Sequence, residues 1–314
     1  MPDHPKGRIA VVIPCLDEAR TIEAVVAEFR AALPEATVVV VDNGSADDTA
    51  VLAARAGAVV VRERRRGKGH AVRRGLREVD AEVYLLVDGD STYPAADARR
   101  LVQPILDDEA DVVIGGRLDA ASQSELRWVN RLGNRFFLAT VNLIFSTSVS
   151  DLLTGYRAMS REFVRHVPIL SVGFELETEL TVLALERGYR TIELPVRLTS
   201  RPAGSASKIR VMGDGLRILN AIFTLLRDYR PLTFFGGLGL GAMLTGLAPG
   251  LFVTWEFSRT GLVRIPTAVL AVGLELTGMV LLVTGVLLTT VARRFRELDH
   301  QLAALDRAIR EPRR

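Results

Sequence analysis

Two carboxylates one residue apart, Asp88 and Asp90, interrupt the apolar run LLVDGDSTYP at 85–94. Asp and Gly are ordinary turn formers, so a strand that must turn accounts for such a pair without any chemistry. The pair also offers oxygen ligands to a hard divalent cation, and Mg²⁺ takes one or two protein carboxylates alongside substrate phosphates. Acidic residues recur after other apolar runs: Asp17 and Glu18 in VVIPCLDEARTI (11–22), and Asp42 in VVDNGSADDTA (40–50). In RGKGHAVRRG (66–75) the glycines precede a helical pattern. Backbone amides there can receive an anion, with Lys68 adding charge; a solvated basic turn is the competing account.

These residues need a frame. Near-continuous apolar runs at 9–14, 37–42, 58–63, 83–88 and 111–116 read as strands covered on both faces, the pattern of a parallel sheet. Amphipathic stretches at 20–33, 47–57 and 70–79 separate them, which is doubly wound βαβ architecture. Ligands of such sheets bind at the carboxyl ends of the strands, where each polar cluster falls. No Gly-x-Gly-x-x-Gly follows the first strand and no Walker lysine motif occurs, so the dinucleotide and P-loop fingerprints are missing.

The second half differs. Residues 127–145 form a helical pattern with Arg127, Arg131 and Arg135 on one face, suited to an anionic membrane surface, and 214–230 also has an apolar face. Pro231 to Trp255 contains no charged residue, and Ile265 to Ala292 contains Glu275 alone. Each run exceeds the roughly 20 helical residues that cross a ~30 Å hydrocarbon core. The expected organisation is a domain over 1–210, a juxtamembrane helix over 211–230, two transmembrane helices within 231–292 and a charged tail helix over 293–314. Arg227 and Arg230 before the spans, and Arg293, Arg294 and Arg296 after them, place both termini in the cytoplasm. The opening MPDHPKGRIAVVIP lacks the apolar core of a secretory leader, so the large domain is expected to stay where it is made. Glu275 hints at contacts between spans of a homo-oligomer, dimer or tetramer. The single cysteine, Cys15, excludes an internal disulfide, and a formal charge of +3 is too small to argue for nucleic acid.

The ordered series VVIPCLDEARTI, VVDNGSADDTA, RGKGHAVRRGL, LLVDGDSTYP, VVIGGR, SDLLTGYRAMSREFV and SRPAGSASK resembles the inverting family 2 glycosyltransferases of GT-A fold. Within them it is most similar to the polyprenyl-phosphate (dolichyl-phosphate) hexose synthases, a subgroup of which carries two C-terminal membrane helices. The resemblance covers about residues 9–210. It implies that Pro14, Asp17, Glu18 and Asp42 contact the nucleoside and that Lys68 lies by the base or diphosphate. Asp88 and Asp90 would hold Mg²⁺ or Mn²⁺ against the diphosphate of a nucleotide-sugar donor. Two positions depart from the family pattern: Thr92 stands where many mannose synthases have Gln, and Asp17 where Asn is commoner.

For a polyprenyl phosphate acceptor, the resemblance points to Arg117, Arg131, Arg201, Ser207 and Lys208, since the planar guanidinium fork suits phosphate. Asp151, in SDLLTGYR beside Tyr156 and Arg157, matches a family carboxylate proposed to orient or deprotonate the acceptor; an N-cap is the other account. Among Glu175, Glu177 and Glu179, Glu177 is a weaker active-site candidate, and a solvated helix face is expected. Rival functions are a glycolipid or polysaccharide synthase with a hydroxyl acceptor, and a catalytically silent membrane scaffold. QSELRW (123–128) misses the spacing of the processive enzymes' motif and precedes Asp151.

Overall fold

The computed structural model describes residues 6–117, 138–139, 141–142, 147, 149–169, 171, 176–199, 223–224, 227–228 and 230–310. The chain divides into two compact units, Met1–Ile218 and Leu219–Arg314.

Among the described residues the first unit holds seven strands: β1 (Lys6–Cys15), β2 (Ala36–Asp42), β3 (Val59–Arg62), β4 (Asp80–Leu86), β5 (Val112–Arg117), β6 (Arg157–Ser160) and β7 (Thr191–Val196). Their order is β3-β2-β1-β4-β6-β5-β7. β6 runs antiparallel to both its neighbours and every other pairing is parallel. The runs IAVVI (9–13) and VVVV (38–41) are buried because helices cover the sheet: α1 (Ile22–Ala32), α2 (Thr49–Arg55), α3 (Lys68–Glu78) and α4 (Ala98–Leu106). In α1 the residues Ile22, Val25, Val26 and Phe29, at helical spacing, supply the buried face. α3 packs closely enough that a Cβ on Gly75 would lie 2.5 Å from Val12 Cγ1 and 2.8 Å from Val41 Cγ2. Two further helices, α5 (Arg161–His166) and α6 (Leu176–Glu186), follow β6.

Every strand recognised in the sequence is present, while β6 and β7 were not read from it. RAMS is too short to show a pattern, and TIELPV carries Glu193 and Pro195, residues that strands disfavour. Arg157 enters the sheet opposite Leu86 of β4 and Ile114 of β5.

The second unit holds α7 (Pro231–Thr260) and α8 (Ile265–Arg310). Within them Pro231–Thr260 and Ile265–Phe295 are long and apolar enough to cross a membrane. Leu240, Leu244, Leu251, Val269, Leu276 and Met279 are exposed, an apolar surface of the kind that marks a membrane or protein contact. The two helices touch through small residues seven apart. A Cβ on Gly239 would lie 2.6 Å from the Gly278 carbonyl oxygen, and one on Gly246 would lie 3.2 Å from that of Ala271. Glu275 Oε1 sits beside this second contact, 3.3 Å from the same point at Gly246. α8 runs unbroken from the second apolar run into the charged tail.

Candidate active site

The polar residues singled out in the sequence lie where strands end and chain turns. Pro14 and Cys15, buried at the end of β1, pair in register with Val41 and Asp42. Asp17 follows in the left-handed region, φ 54°, which Asp and Asn tolerate better than other side chains. Its backbone N–H donates to Ser45 Oγ at 3.0 Å and its Oδ1 accepts from Ala46 N at 2.7 Å. Asp42 Oδ1 accepts from Ser45 N at 2.9 Å, and the Glu18 amide donates to Thr49 Oγ1 at 2.9 Å. Asp17, Glu18 and Asp42 therefore converge on the loop that opens α2. The two aspartates spend part of their hydrogen-bonding capacity shaping that loop.

Asn43, which sequence reasoning did not single out, ties this corner to the next. Its side chain donates to the Glu63 and Arg65 carbonyls at 3.2 and 2.7 Å and accepts from Gly67 N at 2.7 Å. Gly67, at φ 130°, turns the chain into α3 and delivers Lys68 at its first position.

Lys68 is the centre of the site. Its Nζ lies 2.6 Å from Asp88 Oδ1 and 2.6 Å from Glu177 Oε1. Burial opposes its charge, but the two carboxylates outweigh that and hold its pKa above the ordinary lysine value. Glu177 corrects the expectation of a solvated helix face, since it is 3% exposed on α6 and is a partner of Lys68. The available signal was electrostatic: the chain has three lysines, Lys6, Lys68 and Lys208, and a buried one requires carboxylates around it. Arg157, wholly buried, donates to the carbonyls of Glu177 (3.0 Å) and Thr154 (2.7 Å), which fixes the backbone behind the lysine. Burial lowers its pKa below the ordinary arginine value, and Glu177 is the first of the charges that oppose this.

The loop after β4 carries Asp88 and Asp90. Gly155 permits the approach of Asp88, because a Cβ there would lie 2.5 Å from Asp88 Oδ2. Asp90 is buried, accepts from Thr92 N at 3.1 Å and bonds the Thr92 hydroxyl, so Thr92 braces the carboxylate from within its own loop. Tyrosines lock this loop to the segment before β6: Tyr93 Oη accepts from Gly155 N at 2.9 Å and Tyr156 Oη donates to the Pro94 carbonyl at 3.1 Å, with the rings 5.1 Å apart. Thr21 Oγ1, at the start of α1, donates to the Gly89 carbonyl at 2.7 Å. Among the described residues no three carboxylate, imidazole or thiolate groups converge as a metal cluster. The donor set on this loop is two hard oxygen ligands, which suits a cation that completes its shell with phosphate and water.

Arg117 ends β5 and pairs with Asp151, Nη2 to Oδ1 at 2.8 Å, with Nε on the other oxygen. Burial opposes the arginine's charge, yet the Asp151 hydrogen bond and charge raise its pKa, and Glu177 adds to the effect. Ser150 donates its N–H and hydroxyl to the Glu193 carboxylate at 2.7 and 2.5 Å, which anchors the residue before Asp151 to β7. Arg131, Arg201, Ser207 and Lys208 lie outside the described residues. Residue 199, just before the SRPAGSASK stretch, donates its N–H to the Thr92 carbonyl at 2.9 Å.

The open, mostly parallel sheet, with paired carboxylates on the β4 loop, is the fold of GT-A glycosyltransferases, as the comparisons show. The chain belongs to glycosyltransferase family 2, whose sequence model matches residues 10–167. It is 33% identical to Glycosyltransferase AglJ of Haloferax volcanii over 95% of this chain and 98% of the relative. It is 31% identical to the Dolichyl-phosphate hexose transferase of the same organism over 73% of this chain and 99% of the relative. Among solved structures, glucosyl-3-phosphoglycerate synthase from Mycobacterium tuberculosis, in complex with Mn²⁺, uridine diphosphate and glucosyl-3-phosphoglycerate, superposes with a TM-score of 0.58 at 25% identity. That match covers 70% of this chain and 79% of the synthase.

Proposed function

We propose that this glycosyltransferase moves a hexose from a nucleoside-diphosphate sugar, UDP- or GDP-linked, to polyprenyl phosphate at the cytoplasmic face of a membrane. The observation that carries this reading is the union in one chain of a family 2 site with two apolar helices that expose large hydrophobic side chains. Support comes from the likeness, over nearly the whole length of the relative, to an enzyme whose name gives a lipid-phosphate acceptor.

In this reading Pro14, Asp17, Glu18 and Asp42 surround the nucleoside, and Lys68 stands by the diphosphate. Asp88 and Asp90 are the protein ligands of Mg²⁺ or Mn²⁺; such a cation neutralises charge on the departing nucleoside diphosphate. Arg117, Arg131, Arg201, Ser207 and Lys208 receive the acceptor phosphate. A phosphate monoester with its second pKa near ~6 is largely dianionic at neutral pH and needs little help from a base. Alignment of its oxygen behind the anomeric carbon is then the protein's main task, and Asp151 serves it by holding Arg117. The topology follows the count of arginines. Arg227, Arg230, Arg293 and Arg294 flank the spans, whereas the connecting turn carries Arg259 and Arg264.

The test is transfer of labelled sugar from a panel of UDP- and GDP-hexoses to short-chain polyprenyl phosphate in detergent with Mg²⁺, for the wild type and Asp90→Ala. Labelled lipid from one donor, abolished in the variant, supports the reading. Transfer to phosphoglycerate, diacylglycerol or a glycan, with none to lipid phosphate, overturns it.

A further inference from the structure

Glu177 has no place in the reaction as described, yet it is one of the most deeply buried acids in the chain. Its carboxylate shares the Lys68 ammonium with Asp88, at equal distances of 2.6 Å. The two acids differ in freedom. The Asp88 side chain is 27% exposed on a loop, whereas that of Glu177 is 4% exposed on a helix. The Glu177 carbonyl is held by Arg157 Nη1 at 3.0 Å and Thr181 Oγ1 at 3.0 Å. Asp88 is thus the more accessible of the two acids, and the backbone that carries Glu177 is the more tightly held.

A divalent cation seated on Asp88 and Asp90 competes with the ammonium for the single negative charge of Asp88, because two positive centres drawn to one carboxylate repel each other. The geometry points to Glu177 as a positioning residue: it retains Lys68 when Asp88 turns to the cation, so that metal entry does not strand a buried ammonium. Leaving a buried charge without its partner is the costly outcome that this second carboxylate avoids. The inference rests on the reading of Asp88 as a metal ligand and extends it to a residue on α6.

The test is Mn²⁺ binding to the full-length enzyme in detergent, with saturating UDP and, in a parallel series, saturating GDP, followed by loss of the free Mn²⁺ paramagnetic resonance signal. Wild type, Glu177→Gln, Lys68→Met and the double variant form a cycle, in which any direct contact of Lys68 with UDP cancels. Glu177→Gln is expected to weaken Mn²⁺ at least fivefold when Lys68 is present and less than twofold in the Lys68→Met background. Glu177→Asp, which keeps the charge but withdraws it by one methylene, should fall between wild type and Glu177→Gln, and it serves as the comparison if the Gln variant does not fold. Equal losses in both backgrounds, or no loss in either, overturn the inference while leaving the metal site standing. Absence of Mn²⁺ binding in the wild type with either nucleotide overturns both.

Discussion

Arg117 engages both oxygens of the Asp151 carboxylate and keeps one edge of its guanidinium outside that pair. Asp151 Oδ1 accepts from Arg117 Nη2 at 2.8 Å and from Leu153 N at 3.0 Å, while Oδ2 accepts from Arg117 Nε and, at 3.3 Å, from Arg117 N. A carboxylate whose two oxygens each accept two hydrogen bonds is placed to act as a clamp. Asp151→Asn should lower kcat by about 10- to 100-fold, less than the upper range of ~10²–10⁴ that a positioned base contributes. The shape of the pH–rate profile between pH 6 and 9 should stay unchanged. Loss of an acid limb in the variant would instead assign Asp151 the role of base.

The anchor of that clamp lies on β7. A Cβ on Gly116 would stand 2.1 Å from Glu193 Oε1, the atom that receives the Ser150 hydroxyl. Gly116→Ala should push Glu193 off Ser150, destabilise the catalytic unit by about 1–3 kcal/mol as overpacking does, and lower turnover. Thermal unfolding and steady-state rates read the two effects separately. An unshifted Tm with full activity would show that Glu193 moves aside freely.

Glu63 braces the turn that leads to Lys68. Its Oε1 accepts from Arg65 Nε at 3.1 Å and Arg65 N at 2.8 Å, and the Arg65 contacts lower its pKa to about 2. A depressed carboxylate pKa contributes stability above the unfolded value, ~4.3, and the contribution disappears as pH falls through the folded value. Glu63→Gln should therefore unfold at a lower temperature than wild type at pH 7. The gap should narrow from about pH 4 downward and close near pH 2. A gap independent of pH would remove the ionic account of this turn.

Ending the chain after Arg230 deletes both apolar helices. The shortened protein should leave the membrane fraction and still bind UDP, because the catalytic unit is compact on its own side of the division at residue 218. Its KM for long-chain polyprenyl phosphate should rise far more than its KM for a short-chain analogue. Equal KM changes for both acceptors would mean that the helices do not concentrate the enzyme on its lipid.

The sequence was most legible where one physical demand dominates. Buried parallel strands require unbroken β-branched runs, and IAVVIP and TVVVVD show them plainly. The apolar helices were equally plain, because length and the absence of charge are the whole signal. Legibility failed where two demands meet in one residue. Glu177 alternates with other glutamates in ELETEL and looks solvated, yet it faces a lysine more than a hundred positions away in the chain. Arg157 stands in the sequence only as a neighbour of Asp151 in SDLLTGYR, and its burial shows once the sheet closes on both sides of it. The partners that make such residues tolerable are remote in sequence, so no local pattern announces them.

Cys15, the chain's single thiol, is 2% exposed at the end of β1, and its Sγ is 2.6 Å from the point a Cβ on Gly89 would occupy. A reagent can reach that sulfur when β1 and the loop between Asp88 and Asp90 part. Its modification rate is thus a clock for opening of the donor side of the site. With no competing thiol elsewhere, the unaltered enzyme carries its own reporter: nucleotide or metal that braces this corner will slow the clock, and a change that loosens it will speed the clock.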